Sequence, residues 1–144
     1  DDGEPSGTAG MLMMEVLNAN DITNVLCIVT RYFGGILLGA GGLVRAYARG
    51  AAEAVRAAGV LQYIPGTALE FTVEYPRYGA IEAFVRTSAQ VDALDFAEAV
   101  HIRVLVEDAA ADAFCAQIVE RTDGRCTPQR CGTGYLIRPK AGES

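Results

Sequence analysis

The sequence predicts an α+β protein of two domains, at residues 1–64 and 65–140. In the first domain an apolar run at residues 25–30 leads through a glycine-rich loop into a helical pattern, which is typical of a strand–loop–helix unit. In the second domain the predicted elements follow the order βαββαβ, which indicates a ferredoxin-like sandwich of two helices over an antiparallel sheet. The dipeptide Pro65-Gly66 marks the boundary between the two domains.

The first predicted helix follows the polar loop DDGEPSGTAG, and Ser6 or Thr8 is a candidate for its N-cap. Three carboxylates lie in the same loop, on Asp1, Asp2 and Glu4. They have two alternative roles: they bind a hard cation, for which oxygen ligands are suited, or they keep the loop solvated. Solvation is the more common role of such a cluster, so we predict no metal site.

The stretch VLCIVTRYFGGILLGAGGLVRAY, from Val25 to Tyr47, organises the first domain. Its opening residues, Val25–Thr30, are short and apolar enough to predict a buried strand. The helical pattern begins at Leu43 and runs to about Ala58, where Gly59 is a good residue to end a helix.

The glycines between strand and helix permit positive φ or a close approach, and the following helix N-terminus would present free N–H groups to an anion. Their spacing matches neither the dinucleotide fingerprint nor the P-loop. Two interpretations therefore stay open, a tight packing connection and a binding surface. The candidate binding residues of this stretch are Arg31, Tyr32, Phe33, Gly34, Gly35, Gly39, Gly41, Gly42, Arg45 and Arg49.

The net charge of −6 argues against a protein that coats nucleic acid, but the charge is unevenly distributed. Residues 31–56 carry four arginines against the single acidic residue Glu53, and residues 121–140 carry five basic residues against Asp123. Each basic segment is either a surface for RNA or another anion, or an ordinary solvated face. Arg125 and Arg130 are secondary candidates for such contacts.

The cysteines and the single histidine predict neither a metal site nor a catalytic group. The four cysteines form no C-x-x-C pair, and His101 alone cannot complete a zinc site or a nucleophile–base pair. We interpret Cys126 and Cys131 as free thiols in a reducing cytosol. No run approaches the ~18 apolar residues of a membrane span, so we expect a cytoplasmic protein with no membrane partner and no cofactor.

In the second domain, the pattern of apolar and polar residues locates the secondary-structure elements. They are a strand at 68–75, a helix after Pro76, strands at 90–96 and 100–107, a helix capped by Asp108, and a last strand at 125–138. Phe71 and Tyr75 fall on one face of the first strand, so we predict that both are core residues. The sequence lacks the paired-aromatic string of RNA-recognition domains, and only contact between arginines and an RNA backbone stays open.

With these residues in view, the chain resembles the IMPACT family, and within it the bacterial YigZ-type branch. The resemblance rests on DDGEPSGTAG at residues 1–10, the helix after it, and VTRYFGGILLGAGGLVRAY at residues 29–47. It implies a first domain with part of the left-handed β-α-β fold of a ribosomal protein and of certain small-molecule kinases. It also implies a second domain similar to the last domain of elongation factor G. If the family's upstream strands are absent, faces around residues 25–29 would lie uncovered.

The resemblance further implies a regulator of translation. We therefore expect a non-enzymatic binding protein that contacts the ribosome, RNA or a translation-related protein through the glycine-rich loop and its arginine-bearing helix. We expect no sequence-specific DNA binding, and the sequence predicts no oligomeric state. The alternative is an enzyme or sensor that binds a phosphorylated small molecule or nucleotide at the Gly34–Gly42 loop.

Overall fold

The computed structural model describes residues 1–141, which divide into two units. Unit 1 consists of Asp1–Val60 together with Lys140 and Ala141, and unit 2 consists of Leu61–Pro139. Within the described residues the structure contains four α-helices, one 3₁₀ turn and one four-stranded antiparallel sheet. The predicted α+β class is therefore confirmed.

Unit 1 is built on two helices, α1 (Gly10–Ala19) and α2 (Gly39–Ala58). Helix α2 begins at Gly39, one turn before the predicted start at Leu43, because the glycine-rich segment itself enters the helix. It ends as predicted before Gly59, which has φ 73° and suits the left-handed region. The buried side chains between the two helices come from Ala9, Leu43 and Tyr47, with Met13 and Val29 packed against them.

The predicted buried strand at Val25–Thr30 is wrong. No helix or strand is present from residue 22 to residue 38, and the side chains of Leu26 and Ile28 are 82% and 74% exposed. Cys27 and Val29 are half-buried, so burial alternates as the sequence pattern indicates. A strand needs a neighbour for its backbone hydrogen bonds, and no other part of unit 1 within residues 1–141 forms one.

Unit 2 is a sheet with two helices, and its elements follow the order β-α-β-β-α-β. They are β1 (Leu61–Val73), α3 (Tyr75–Ser88), β2 (Gln90–Phe96), β3 (Val100–Glu107), the 3₁₀ turn (Asp108–Ala110), α4 (Ala111–Arg121) and β4 (Gln129–Pro139). The strands are all antiparallel and lie in the order β2-β3-β1-β4. The bounds of β2 and β3 are those that the sequence predicts, because apolar and polar residues alternate through most of each strand and turns flank them.

Strand β1 is one continuous strand through the dipeptide Pro65-Gly66, and its residues 61–70 pair with β4. The register shifts by one residue between Ala68 and Leu69, where a bulge interrupts the pairing with β4. A Cβ added at Gly66 would lie 2.9 Å from Cδ1 of Leu136 and 3.0 Å from Cγ of Leu105. Glycine at this position thus lets two leucines pack onto the strand.

The core of unit 2 lies between the sheet and its helices. Its buried residues include Leu69, Phe71, Val73, Ile81, Val85, Val100, Ile102, Val104, Val106, Phe114 and Ile118. The prediction for Phe71 is confirmed, but that for Tyr75 is wrong: strand β1 ends at Val73, so Tyr75 opens helix α3 and its side chain is exposed.

The predicted cap of the last helix is also wrong. The carboxylate of Asp108 accepts a hydrogen bond from Oγ1 of Thr67 at 2.7 Å, and Ala110 occupies the N-cap position of α4 without a side-chain bond. Asp108 is the first residue of the short 3₁₀ turn that precedes the helix, and its side chain bonds to strand β1 instead of the helix start.

Candidate functional site

One carboxylate joins three separate segments of unit 1. Oε1 of Glu4 accepts a hydrogen bond from Nη1 of Arg31 at 2.5 Å and another from Oη of Tyr47 at 2.8 Å. The side chains of Arg31 and Glu4 are only 26% and 16% exposed, and Tyr47 is buried. The polar loop, the segment before the glycines and helix α2 are therefore tied together by one charge-assisted network.

The network shifts the protonation equilibria of its members. The hydrogen bond from Arg31, and then that from Tyr47, lower the pKa of Glu4 below its usual value, although burial opposes this. The hydrogen bond to the Glu4 carboxylate and burial raise the pKa of Tyr47. At neutral pH the carboxylate is ionised and the phenol keeps its proton. A carboxylate with a lowered pKa and two bound donors is a poor proton acceptor, so the network is suited to structure and not to general-base chemistry.

A second carboxylate caps helix α1. The side chain of Asp1 accepts hydrogen bonds from the backbone N–H groups of Gly7 at 2.9 Å, Ala9 at 3.3 Å and Gly10 at 2.9 Å. The first N–H groups of a helix need acceptors from outside it, and a charged carboxylate is a strong one.

The predicted capping by Ser6 or Thr8 is therefore wrong. Ala9 is the N-cap residue of α1 and makes no side-chain cap bond, while Oγ1 of Thr8 donates to the carbonyl of Pro5 at 2.6 Å. Because Asp1 and Glu4 accept these bonds, their carboxylates organise the loop. Asp2 makes no such bond among the described residues, and no group of three or more His, Cys, Asp or Glu side chains within residues 1–141 is arranged to hold a metal ion.

The glycine-rich loop contains three positions that require glycine. Gly35 has φ 83° and Gly39 has φ 72°, in the region that other residues enter only with strain. Gly42 is needed for close approach, since a Cβ there would lie 2.9 Å from Cβ of Leu38. Gly34 and Gly41 have open space around them. The loop is thus a shaped connection into helix α2.

Large apolar side chains project from this connection into solvent. Tyr32 is 90% exposed, Leu37 86% and Ile36 76%, and Phe33 is also exposed. We call residues 32–38 the apolar loop. The Arg31 guanidinium carbon lies 5.7 Å from the centroid of the Phe33 ring, which joins the loop to the Glu4 network. Several exposed apolar side chains in one loop make it a candidate for an interaction site.

The arginines of helix α2 differ in their surroundings. Nε of Arg49 lies 2.8 Å from Oε1 of Glu53, one helical turn away, so its charge is balanced on the helix surface. Arg45 is exposed and makes no ion pair within the described residues. Of the three candidate arginines of unit 1, Arg45 is the one whose charge is available to a partner.

The secondary candidates Arg125 and Arg130 belong to unit 2. Arg125 is exposed, whereas Nη2 of Arg130 lies 2.6 Å from Oδ1 of Asp112 on helix α4. Arg138, in the same basic segment, pairs with Glu107. Two of the five basic side chains at residues 121–140 are therefore balanced by carboxylates within unit 2.

Sequence reasoning missed an exposed aromatic pair on unit 2. Tyr63 of β1 and Tyr135 of β4 are exposed, and their ring centroids lie 6.2 Å apart in an edge-to-face arrangement. The available signal was the period of two in LQYIP and YLIRP, at residues 61–65 and 135–139. The partnership of Tyr47 with Glu4 had no such signal, because the two residues are distant in sequence.

All four cysteines are free, as predicted for Cys126 and Cys131. Cys126 is buried and Cys131 exposed, and burial raises the pKa of the Cys126 thiol. None of the helices in residues 1–141 combines the length and the apolar character needed to cross a bilayer.

Comparison with known proteins assigns both parts of the chain. Residues 1–55 match the Impact N-terminal domain, and residues 71–125 match a domain of unknown function, DUF1949. The pair defines a protein with an Impact-type domain followed by a DUF1949 domain. The chain belongs to the IMPACT family.

Individual relatives support the assignment. The chain is 39% identical over 137 residues to "IMPACT family member YvyE" of Bacillus subtilis, with 94% of this chain and 63% of the relative covered. It is 35% identical over 125 residues to "IMPACT family member YigZ" of Escherichia coli, with 86% and 61% covered. A solved structure, "Crystal structure of an hypothetical protein", shares 34% identity at a TM-score of 0.51, with 92% and 65% covered. The chain thus spans less than two thirds of these proteins.

Proposed function

We propose that this chain is a non-enzymatic binding protein linked to translation, which contacts the ribosome, RNA or a translation-related protein through the apolar loop and Arg45. The observation that carries the proposal is the exposure of Tyr32, Leu37 and Ile36 on a loop whose base is fixed by Glu4. A surface that is already ordered loses less conformational entropy on binding than a flexible one.

The chemistry of this surface favours a protein face as the contact. Aromatic and aliphatic anchors dominate the energetics of protein interfaces, and the apolar loop supplies several of them. Affinity for bare RNA needs several unpaired cations, whereas Arg31 and Arg49 are each paired with a carboxylate. Arg45, which is exposed on the helix that follows the apolar loop, supplies one positive charge. A ribosomal protein or a translation factor therefore fits better than exposed RNA.

The Glu4 network also supports a role without catalysis. Its carboxylate is held by two donors, and the glycine loop carries no nucleophilic side chain. The alternative, a phosphorylated ligand at the Gly34–Gly42 loop, would use the N-terminus of α2 and Arg45. We also propose that unit 2 is a ferredoxin-like sandwich, which is supported by its element order and by the strand order β2-β3-β1-β4.

The test is co-sedimentation of the protein with purified ribosomes and with free RNA, at low and at high salt. Leu37→Ser should weaken ribosome binding about tenfold or more, since it removes an apolar anchor. Ile137→Ser is the matched control, because it removes an exposed apolar side chain of unit 2 instead. Arg45→Ala should weaken binding mainly at low salt, while Arg49→Ala should have little effect.

The outcomes separate the alternatives. Binding to ribosomes that resists salt and needs Leu37 supports the protein-face contact. Binding to free RNA that falls steeply with salt would replace it with an RNA contact. Absence of binding at every salt concentration would reject the ribosomal form of the proposal. A screen of phosphorylated metabolites, read as a rise in melting temperature, would then test the alternative.

A further inference from the structure

Unit 2 contains an open cavity of about 360 Å³ that the sequence did not indicate. Its wall is formed by the end of α3 and the start of β2, the end of β3, the 3₁₀ turn, and strand β4. The volume falls in the range of about 300–1,000 Å³ that is usual for small-molecule sites in proteins. All the residues that line the cavity belong to unit 2, and none of them is part of the apolar loop.

Two oppositely charged side chains form an ion pair in the wall of the cavity. The guanidinium of Arg138 pairs with the carboxylate of Glu107, and both side chains are partly exposed. Arginine has five N–H donors in a planar fork, and Nη1 is the atom that meets Glu107. The remaining donors of Arg138 are available to a ligand carboxylate, and the remaining acceptor positions of Glu107 are available to a ligand ammonium group.

The rest of the lining adds a second feature that attracts cations and one exposed apolar side chain. Thr87 and Ser88 are the last residues of α3, where helix carbonyls lack intrahelical partners and carry partial negative charge. Ile137, which is 52% exposed, lines the cavity with aliphatic surface, whereas the lining residues Val106 and Leu136 are buried. Ala110, on the 3₁₀ turn, adds only a small side chain to the lining.

We propose that this cavity binds a small zwitterion, an α-amino acid with an aliphatic side chain. A simple anion would meet Arg138 but also Glu107, and a simple cation would meet Glu107 but also Arg138. A zwitterion satisfies both groups at once, with its carboxylate on Arg138 and its ammonium group between Glu107 and the end of α3. The aliphatic side chain lies over Ile137, where it removes exposed apolar surface from water.

The test uses L-alanine, L-valine and L-leucine as probes, with binding followed by amide chemical shifts of the isotope-labelled chain. Two analogues of leucine serve as chemical controls: 4-methylpentanoate lacks the ammonium group, and 3-methylbutylamine lacks the carboxylate. We expect saturable shifts around the cavity with at least one amino acid, and about tenfold weaker binding or none with the analogues. Equal binding of the three leucine-like probes would overturn the zwitterion assignment.

Variants locate the site. Arg138→Ala should raise Kd about tenfold or more, because it removes a charged donor. Arg130→Ala is the matched control, since Arg130 lies on the same strand and has its own ion pair with Asp112 but does not line the cavity. It should leave Kd unchanged. Binding that is equally weakened by both substitutions, or by neither, would contradict the site.

A third variant tests the space without changing the charge. Ala110→Leu should fill part of the cavity and abolish binding while Arg138 and Glu107 remain. If this variant does not fold, as judged by circular dichroism, the comparison of Arg138→Ala with Arg130→Ala still decides the location. No saturable shift with any of the three amino acids at millimolar concentration would overturn the proposal as a whole.

Discussion

Arg31 donates a hydrogen bond to Glu4 across 27 positions of sequence, at 2.5 Å and largely shielded from solvent. Tyr47 donates to the same carboxylate oxygen from helix α2. The charge of Arg31 is therefore directed into unit 1, and its neighbours Tyr32 and Phe33 are the residues presented to solvent. The motif RYFGG combines a structural arginine with exposed aromatic side chains.

Replacement of Arg31 by alanine should lower the melting temperature clearly. It leaves the carboxylate of Glu4 shielded from water without its charged partner, which is more costly than the loss of an exposed pair. Thermal unfolding followed by circular dichroism provides the measurement. Arg49→Ala is the control, because it breaks an exposed pair and should have little effect. If the Arg31→Ala variant has the same melting temperature as the parent chain, Arg31 is instead a surface residue that contributes little to stability.

The stability that Glu4 contributes should depend on pH in the acid range. Because the pKa of Glu4 is lowered in the folded chain, its contribution is complete above the ordinary glutamate pKa and is lost as pH falls through the lowered value. The difference in melting temperature between the parent and Glu4→Gln should therefore be constant near neutrality and shrink in acid.

The matched background for this experiment is Arg31→Ala. Since the arginine is the main cause of the lowered pKa, Glu4→Gln should have a smaller and less pH-dependent effect there. A difference that grows as the pH is lowered would contradict the sign of the argument.

The two glycines at the start of helix α2 should respond oppositely to alanine. Gly39→Ala places a Cβ on a residue with φ 72°, which should destabilise unit 1 by about 1–2 kcal/mol. Gly41→Ala meets no atom within 4 Å and replaces a helical glycine, so it should stabilise by up to about 1 kcal/mol. Urea denaturation of both variants measures the difference. Equal effects would show that the positive φ at Gly39 is not required.

The sheet of unit 2 offers a second pair of glycines. Gly66→Ala would bring a Cβ to 2.9 Å from Leu136 and 3.0 Å from Leu105, and overpacking of this kind costs about 1–3 kcal/mol. Gly132→Ala, on the neighbouring strand β4, would meet only Cβ of Ala68 at 3.9 Å. We expect denaturant unfolding to show a clear loss of stability for the first variant and little for the second.

Sequence patterns located the regular elements well where the pattern is local. Strands β2 and β3, of seven and eight residues, alternate between apolar and polar residues over most of their length, and their bounds followed from this local pattern. The stop of α2 at Gly59 followed from the same kind of local rule. The strand predicted at Val25–Thr30 failed because pairing depends on a neighbour, which a local pattern cannot supply.

The sequence identified the residues of the candidate site but not the contacts that each of them makes. The loop residues were identified, yet nothing local shows that Arg31 is paired while Arg45 is exposed, since Glu4 is distant in sequence. The same limit applies to the caps: Asp1 serves a helix that begins nine residues later, and Asp108 bonds to Thr67 on another element. These roles depend on contacts between side chains that are distant in sequence, and such contacts are known only once the fold is known.

The pairing of β1 with β4 has a consequence for biosynthesis. Leu61 and Pro139 are directly opposed, so the first and last residues of unit 2 are neighbours in the sheet. A ribosome must release the whole of unit 2 before this pairing can form, and contacts so distant in sequence close slowly. Until then β1 exposes an unpaired edge to other nascent chains. Because the two ends of unit 2 are adjacent, this unit is suited to circular permutation. A short linker would join Pro139 to Leu61, and the new ends would lie at an exposed turn.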